Sequence, residues 1–419
     1  MTSNETADPI GARWRIRFWT IFGGQALSLG GSSLTQFVLM WWIADTTGSV
    51  AALSVAGLAA LLPHALFSPI GGVLADRYSR RWLMIAADTV SASCMAILML
   101  LFLTGRVETW HVYAMMAIRG AMQAIQEPAA IASVGMLVPR SFLPRVGGLE
   151  HSVHSFTEIV AAPLGALTMS MLPLGWALSI DIITALLGII PLLIFRIPQH
   201  RIPAEDRTGL WGEFRDGMRV VRRSQGLQHL FLLLAVGLLA VMPSIMLVPL
   251  LVKEHFGGDV RDVALLEGLS GLGMMIGAMM VAALAPRRQV PWVLWGMTLS
   301  CASLALTGLV PSGLFGLALV WWVLSGVTYS LSAAPCMVLL QLVVPNHLLG
   351  RVQSLLNMML SLAAPVGLTI AALLSEYAGV RTLFVCAGAL AAVVTALGFL
   401  SPALRRLDDD ACVTDEGNT

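Results

Sequence analysis

The chain has 419 residues, of which 57% are hydrophobic and only 12% charged, with a formal net charge of +1. Soluble domains carry about 25% charged residues, so most of this chain must face lipid or its own interior. The even charge balance excludes a nucleic-acid binder, which would show a basic excess.

Lys253 is the single lysine, and Glu254 follows it, so no phosphate loop ending in Gly-Lys-Ser/Thr is present. The HExxH zinc helix and the GxSxG nucleophile elbow are absent too, and no enzyme is expected. Cys94, Cys301, Cys336, Cys386 and Cys412 lack metal-ligand spacing. They read as small packing residues, and neither metal nor cofactor is expected. Met1 to Ile10 are polar and lack the apolar core and cleavage site of a signal peptide.

A membrane-crossing helix needs about 20 mostly apolar residues. In chain order, twelve such runs begin near Phe18, Ala51, Trp82, Trp110, Gly147, Gly175, Leu227, Val263, Val290, Gly313, Val352 and Arg381. The connections are short except the middle one, from about Arg196 to Gly226, which is polar. Its stretch Glu213 to Arg223 is expected to form a short amphipathic helix at the membrane surface. The predicted layout is 1–196 for the first six helices, 197–226 for the central loop, 227–404 for the second six and 405–419 for a tail.

Arginine placement predicts the orientation. With the amino terminus inside, twenty Lys and Arg residues fall in inner segments and four in outer ones: Arg106, Lys253, Arg261 and Arg381. Arg119 lies within a span. Such a bias places both termini in the cytoplasm of a cell membrane, by expectation a bacterial one. Trp41, Trp42, Trp110 and Trp176 are expected at the outer interface as an aromatic belt.

An internal repeat runs through the chain. Val138-Pro139 with Leu143, Arg145 and Val146 recurs 206 residues later as Val344-Pro345 with Leu349, Arg351 and Val352. Ala161-Ala162-Pro163 recurs 202 residues on as Ala363-Ala364-Pro365, and Arg80-Arg81 recurs 207 residues on as Arg287-Arg288. Three matches in order, near half the chain length, make the repeat unit six spans. An even number of spans gives both halves one orientation, so the expected fold is all-α, with twelve transmembrane helices in two parallel six-helix bundles. Parallel repeats place a substrate site at their interface near mid-membrane.

The loop after the second span reads Gly71-Gly72-Val73-Leu74-Ala75-Asp76-Arg77-Tyr78-Ser79-Arg80-Arg81. It resembles the signature loop of the major facilitator superfamily, with Gly72, Leu74, Asp76, Arg77, Arg80 and Arg81 matching and Ser79 standing where the family usually has glycine. The resemblance implies a cytoplasmic latch carried by Asp76, Arg77 and Arg81. Within the superfamily the chain is similar to the drug-efflux branch that includes the bacterial macrolide exporters. Thr46-Thr47-Gly48-Ser49, Gln126-Glu127-Pro128-Ala129 and Asp181 carry that likeness. Ala162-Pro163-Leu164-Gly165-Ala166 keeps the proline of the family's antiporter motif but alters its glycines.

Ionisable side chains inside a bilayer are functional candidates because each costs about 2.5–3.5 kcal/mol on insertion scales. Arg119 sits roughly 14 Å into the fourth span, with Gln123 and Glu127 following at four-residue steps. Glu150, His154 and Glu158 are spaced alike in the fifth span, with Glu158 roughly 20 Å from its outer end. Arg119 and Glu158 are therefore expected at similar depth. Two readings stand: Glu158 as a proton carrier released when the pair separates, or a structural ion pair. Asp181 is an alternative partner for Arg119, and Glu127 and Glu150 read either as proton relays or as solvated helix ends. Asp88 and Asp181 read as structural, and His64 as a packing histidine. The second half offers Gln341, Asn357, Tyr329, Trp321, Trp322 and many methionines, a surface suited to bulky, partly apolar ligands. Candidate cavity residues are Gln123, His154, Tyr329, Gln341 and Asn357.

The expected function is a monomeric secondary transporter that exports an amphiphilic small molecule in exchange for protons. Export of a lipid or of a natural product such as a siderophore, and uptake of a nutrient, are the alternatives within the same fold.

Overall fold

The computed structural model describes residues 14–139, 142–195, 197, 218–284, 286, 288–344, 346–374 and 377–407. Among the described residues there are twelve long helices. The first six are α1 (Trp14–Thr47), α2 (Val50–Arg77), α3 (Arg80–Leu103), α4 (Thr109–Leu137), α5 (Leu143–Met171) and α6 (Ser179–Ile194). The second six are α7 (Gln225–Met246), α8 (Val260–Leu284), α9 (Gln289–Leu309), α10 (Phe315–Val343), α11 (Asn346–Leu374) and α12 (Val380–Leu397). Each of the twelve apolar runs thus becomes one helix. The expected amphipathic helix at 213–223 falls mostly outside the described residues, and its part from 218 to 223 is helical.

By length and composition alone, eight of the helices among the described residues can cross a membrane. The other four are α1, α4, α5 and α11. They have 34, 29, 29 and 29 residues, ample at about 1.5 Å per residue for a core of about 30 Å. Their apolar runs are diluted by Gly, Ser, Gln and ionisable residues. The same four carry Gln25, Arg119, Gln123, Glu127, Glu150, His154, Glu158 and Asn357. Those four helices carry much of the polarity, and His64, Asp88 and Asp181 add ionisable groups on α2, α3 and α6.

Local signals set the helix ends. The Ser224 hydroxyl accepts from the Leu227 amide and caps α7. Glu108 and His111 close a reciprocal cap at the start of α4. After Met246 the chain continues through a short turn and a π-helical segment, Val252–Phe256. It stops at Gly257, whose φ of 68° is left-handed and favours glycine.

The chain separates into two compact units. One comprises Met1–Leu39 and Leu62–Arg207; the other comprises Met40–Leu61 and Thr208–Thr419. The C-terminal end of α1 and the start of α2 thus cluster with the second six helices. There Lys253 Nζ lies 2.8 Å from Asp45 Oδ1.

In the first unit, α3 packs on α4 and α6. A cluster of Phe18, Ile21, Ala75, Met84, Leu137 and Leu192 fills one end. In the second unit, α10 packs on α8 and α9, and α12 on α7 and α9. Lipid provides no hydrophobic drive between helices, so small residues that permit close approach supply the packing. Gly296 is one such position: a methyl there would sit 2.7 Å from the Thr328 carbonyl oxygen.

Trp110 and Trp176 are exposed at helix ends, whereas Trp41 is buried. Its place near the tip of α1, inside the second unit, explains the difference. Helix-end position predicts an interface only where no neighbouring helix covers it.

Candidate functional site

The site is built around α4, whose polar residues meet three different neighbours. Arg119, 10% exposed, points Nη2 to Asp181 Oδ2 of α6 at 3.5 Å, and that carboxylate is 2% exposed. The Ser32 hydroxyl of α1 donates to Asp181 Oδ1 at 2.8 Å, while Arg119 Nη2 donates to the Ser32 carbonyl at 3.4 Å. One buried charge pair therefore joins α1, α4 and α6, and each charge has a partner, as burial demands.

An amide relay also reaches α4. Gln126 Nε2 donates to Gln25 Oε1 at 2.6 Å. Gln25 Nε2 in turn donates to Asp88 Oδ2 at 3.2 Å and to the Gly188 carbonyl at 3.3 Å. Asp88 is buried with this neutral partner, which fits the structural role expected of it.

One residue further along, α4 carries a half-exposed ionisable pair. Glu127 Oε2 lies 3.1 Å from His64 Nε2 of α2, with side-chain exposures of 41% and 24%. His154 of α5 is close enough to act electrostatically on both Glu127 and Glu150. Two imidazoles and two carboxyls from α2, α4 and α5 thus share one region. Read from the sequence, His64 is a packing histidine. Its partner is 63 positions away, and no spacing rule links them.

The four-residue steps of α4 do not keep one face. At about 100° per residue each step drifts by about 40°, so Arg119 and Glu127 differ by about 80°. That drift turns Arg119 toward α1 and α6 and Glu127 toward α2. Gln123, between them, is exposed, as are His154 and Gln341, and Tyr329 is partly buried. The side chains of Glu158, Asp76 and Asn357 lie outside those described, so the expected Arg119–Glu158 pairing and the Asp76 latch do too.

In the signature loop the arginines bind helix ends. Arg80 is buried and donates Nη1 to the Ala132 carbonyl at 2.8 Å and Nε to the Ala75 carbonyl at 3.2 Å. Arg81 donates Nε to the Leu192 carbonyl and Nη2 to the Leu193 carbonyl at 2.8 Å. Cations near helix C-termini satisfy free carbonyls and complement the helix dipole. Arg77 is exposed. Gly71 permits the approach of α2 to α4, because a methyl there would lie 2.0 Å from the Ala124 carbonyl oxygen, while Gly72 has open space beside it. Hydrogen bonds from a charged group contribute about 1.5–3 kcal/mol. Arg80→Ala should therefore lower the melting temperature measurably in detergent, and Arg80→Lys should recover only part, since an ammonium cannot reproduce the guanidinium fork. An unchanged melting temperature in the alanine variant would show that water replaces these bonds.

The sequence matches the family model described as Major Facilitator Superfamily over residues 21–293 and 230–410. Macrolide efflux protein A of Streptococcus pyogenes is 30% identical over 398 residues, which span 94% of this chain and 98% of that protein. Multidrug efflux pump Tap of Mycolicibacterium fortuitum is 24% identical over 401 residues, 91% of this chain and 95% of the pump. Among solved structures, a POT family transporter in complex with a thioalcohol-conjugated peptide superposes with a TM-score of 0.71 at 13% identity. That match covers 91% of this chain and 95% of the other, and it speaks for the fold alone. Twelve helices in two repeated sets of six, the signature loop and the match along nearly the whole length agree: the chain belongs to the major facilitator superfamily and is a multi-pass membrane transporter.

Proposed function

We propose that this transporter exports amphiphilic small molecules across a bacterial cell membrane in exchange for protons. The observation that carries the reading is the hydrogen bond between His64 and Glu127, beside His154 and Glu150. An imidazole–carboxyl pair can change its net charge from one negative to one positive by taking up two protons. A pair that is partly exposed within the helical span can exchange those protons with water. The relatives named for macrolide and multidrug efflux support export of drug-like molecules.

In this reading the two six-helix bundles, 1–196 and 227–404, alternate access to a site between them. The arginine bias places both termini in the cytoplasm, with the signature loop on the same side and Asp76, Arg77 and Arg81 as the latch residues there. Gln123, His154, Tyr329, Gln341 and Asn357 line the substrate path, and a single chain suffices. Glu127 has geometry in its favour as a proton carrier; Glu158 has its depth in the span. Arg119 and Asp181 act by holding the helices that present these groups.

The test uses everted membrane vesicles with an imposed pH gradient. Accumulation of the exported compound should vanish when nigericin collapses the gradient, and Glu158→Gln should abolish it without lowering the melting temperature. Wild-type accumulation that ignores the gradient would sink proton antiport. Normal transport by Glu158→Gln would remove that residue as carrier while leaving Glu127 in place.

A further inference from the structure

The internal repeat pairs Arg81 with Arg288, 207 residues on, and α6 with α12. In the first half Arg81 donates to the carbonyls of Leu192 and Leu193 at the end of α6. The second half departs from that plan. Arg288 is exposed at the start of α9, and among the described residues it makes no hydrogen bond and no ion pair. At the end of α12 the Phe399 carbonyl takes Arg405 Nη2 instead, at 2.8 Å. Where the first half closes an arginine onto a helix end, the second half leaves a cavity of about 500 Å³.

That cavity is basic on one side and apolar on the other. Arg288 and Arg405 both line it, with Val290, Pro291, Leu294 and Phe399. No described carboxylate pairs with either arginine. Val290 and Pro291 put the first turn of α9 in the wall, and the positive end of that helix dipole adds to the two guanidiniums. The rim continues into an apolar surface. Phe399 packs against Trp295 with ring centroids 5.0 Å apart. Trp295 and Leu299 of α9 are exposed, as are Val393, Leu397 and Leu400 along and just after α12. Their steps of three and four mark helix faces turned to lipid, and a tryptophan near a helix end suits the membrane interface.

We propose that this cavity binds the phosphate of an anionic membrane lipid, whose acyl chains lie along Trp295, Leu397 and Leu400. Guanidinium forks match phosphate oxygens in pairs, and basic pockets between helices at a membrane surface take lipid headgroups by that chemistry. A free phosphate would meet the same two arginines but leave the apolar rim unused. So would the acidic run Asp408-Asp409-Asp410 that follows in the sequence. A lipid uses both parts. The site is separate from the substrate path, and the inference holds whatever the transporter exports.

The test titrates delipidated full-length protein in detergent with phosphatidylglycerol or phosphatidylcholine and counts bound lipid by native mass spectrometry. Wild type should hold phosphatidylglycerol at least tenfold more tightly than phosphatidylcholine, whose own cation offsets its phosphate. Arg288→Gln should erase that preference with no change in melting temperature, because its side chain makes no bond to lose. Arg405→Gln should do the same at some cost in stability, since its bond to Phe399 goes too. Arg288→Lys should recover part of the affinity, and Arg406→Gln, exposed but outside the cavity, should bind as wild type does. The proposal is overturned if wild type does not prefer phosphatidylglycerol, if Arg288→Gln keeps the preference, or if Arg406→Gln loses it equally, which would show diffuse surface charge. It also falls if excess inorganic phosphate strips the lipid, which would assign the cavity to a free anion. A wild type that ignores the lipid, beside an Asp408→Asn, Asp409→Asn, Asp410→Asn variant that binds it, would assign the cavity to the chain's own acidic run instead.

Discussion

Arg119→Leu is expected to lower the melting temperature of the purified protein by on the order of 10 °C. Among the described residues, the substitution leaves Asp181, 2% exposed, with the Ser32 hydroxyl as its remaining side-chain partner. Breaking a buried pair by removing one member costs about 3–5 kcal/mol, because the surviving charge stays desolvated. For a unit of this size each kcal/mol moves the melting temperature by about 2–4 °C. The paired replacement Arg119→Leu with Asp181→Leu should recover much of the loss, since apolar residues of similar volume often substitute for a buried pair without penalty. A double-mutant cycle on melting temperature therefore reads a strong coupling between the two positions. If Arg119→Leu instead melts like wild type and loses only transport, Arg119 serves coupling rather than the framework.

The number and kind of helices were legible in the sequence because each run of about 20 apolar residues has one physical solution in a bilayer. The repeat was legible because Pro139 and Pro345, with their flanking Leu, Arg and Val, survive as identities. Partnerships were harder to read. Arg119 had two acids at suitable depth, Glu158 and Asp181, and one-dimensional spacing cannot say which helix α4 turns it toward. Drift of about 40° per four-residue step separates Arg119 from Glu127, although on paper they share a face. His64 and Glu127 meet only because α2 and α4 pack together, with Gly71 against the Ala124 carbonyl setting the approach. The binding of Arg80 and Arg81 to helix ends was hidden in the same way. The positive-inside pattern carries only an expectation of their side of the membrane, whereas the nearby carbonyls of Ala132, Leu192 and Leu193 explain their geometry.

Glu127→Gln should reduce pH-driven export at least tenfold, a loss of about 1.4 kcal/mol or more in coupling, while downhill exchange of substrate continues. Glutamine matches glutamate in size and can still hydrogen-bond to His64, so α2 and α4 should stay together and the melting temperature should hold. What the amide cannot do is accept and release a proton. The pH dependence of export should accordingly flatten in the variant, a change that a purely structural role would not produce. His64→Asn should have a similar effect if imidazole and carboxyl titrate as one unit, since the proton then belongs to the pair rather than to either residue. The double variant should be no worse than Glu127→Gln alone, because members of one unit lose their function together. A Glu127→Gln protein with wild-type export and an unshifted pH profile would remove the pair from the proton path. It would leave Glu158, whose glutamine variant is expected to abolish the same accumulation, as the remaining carrier.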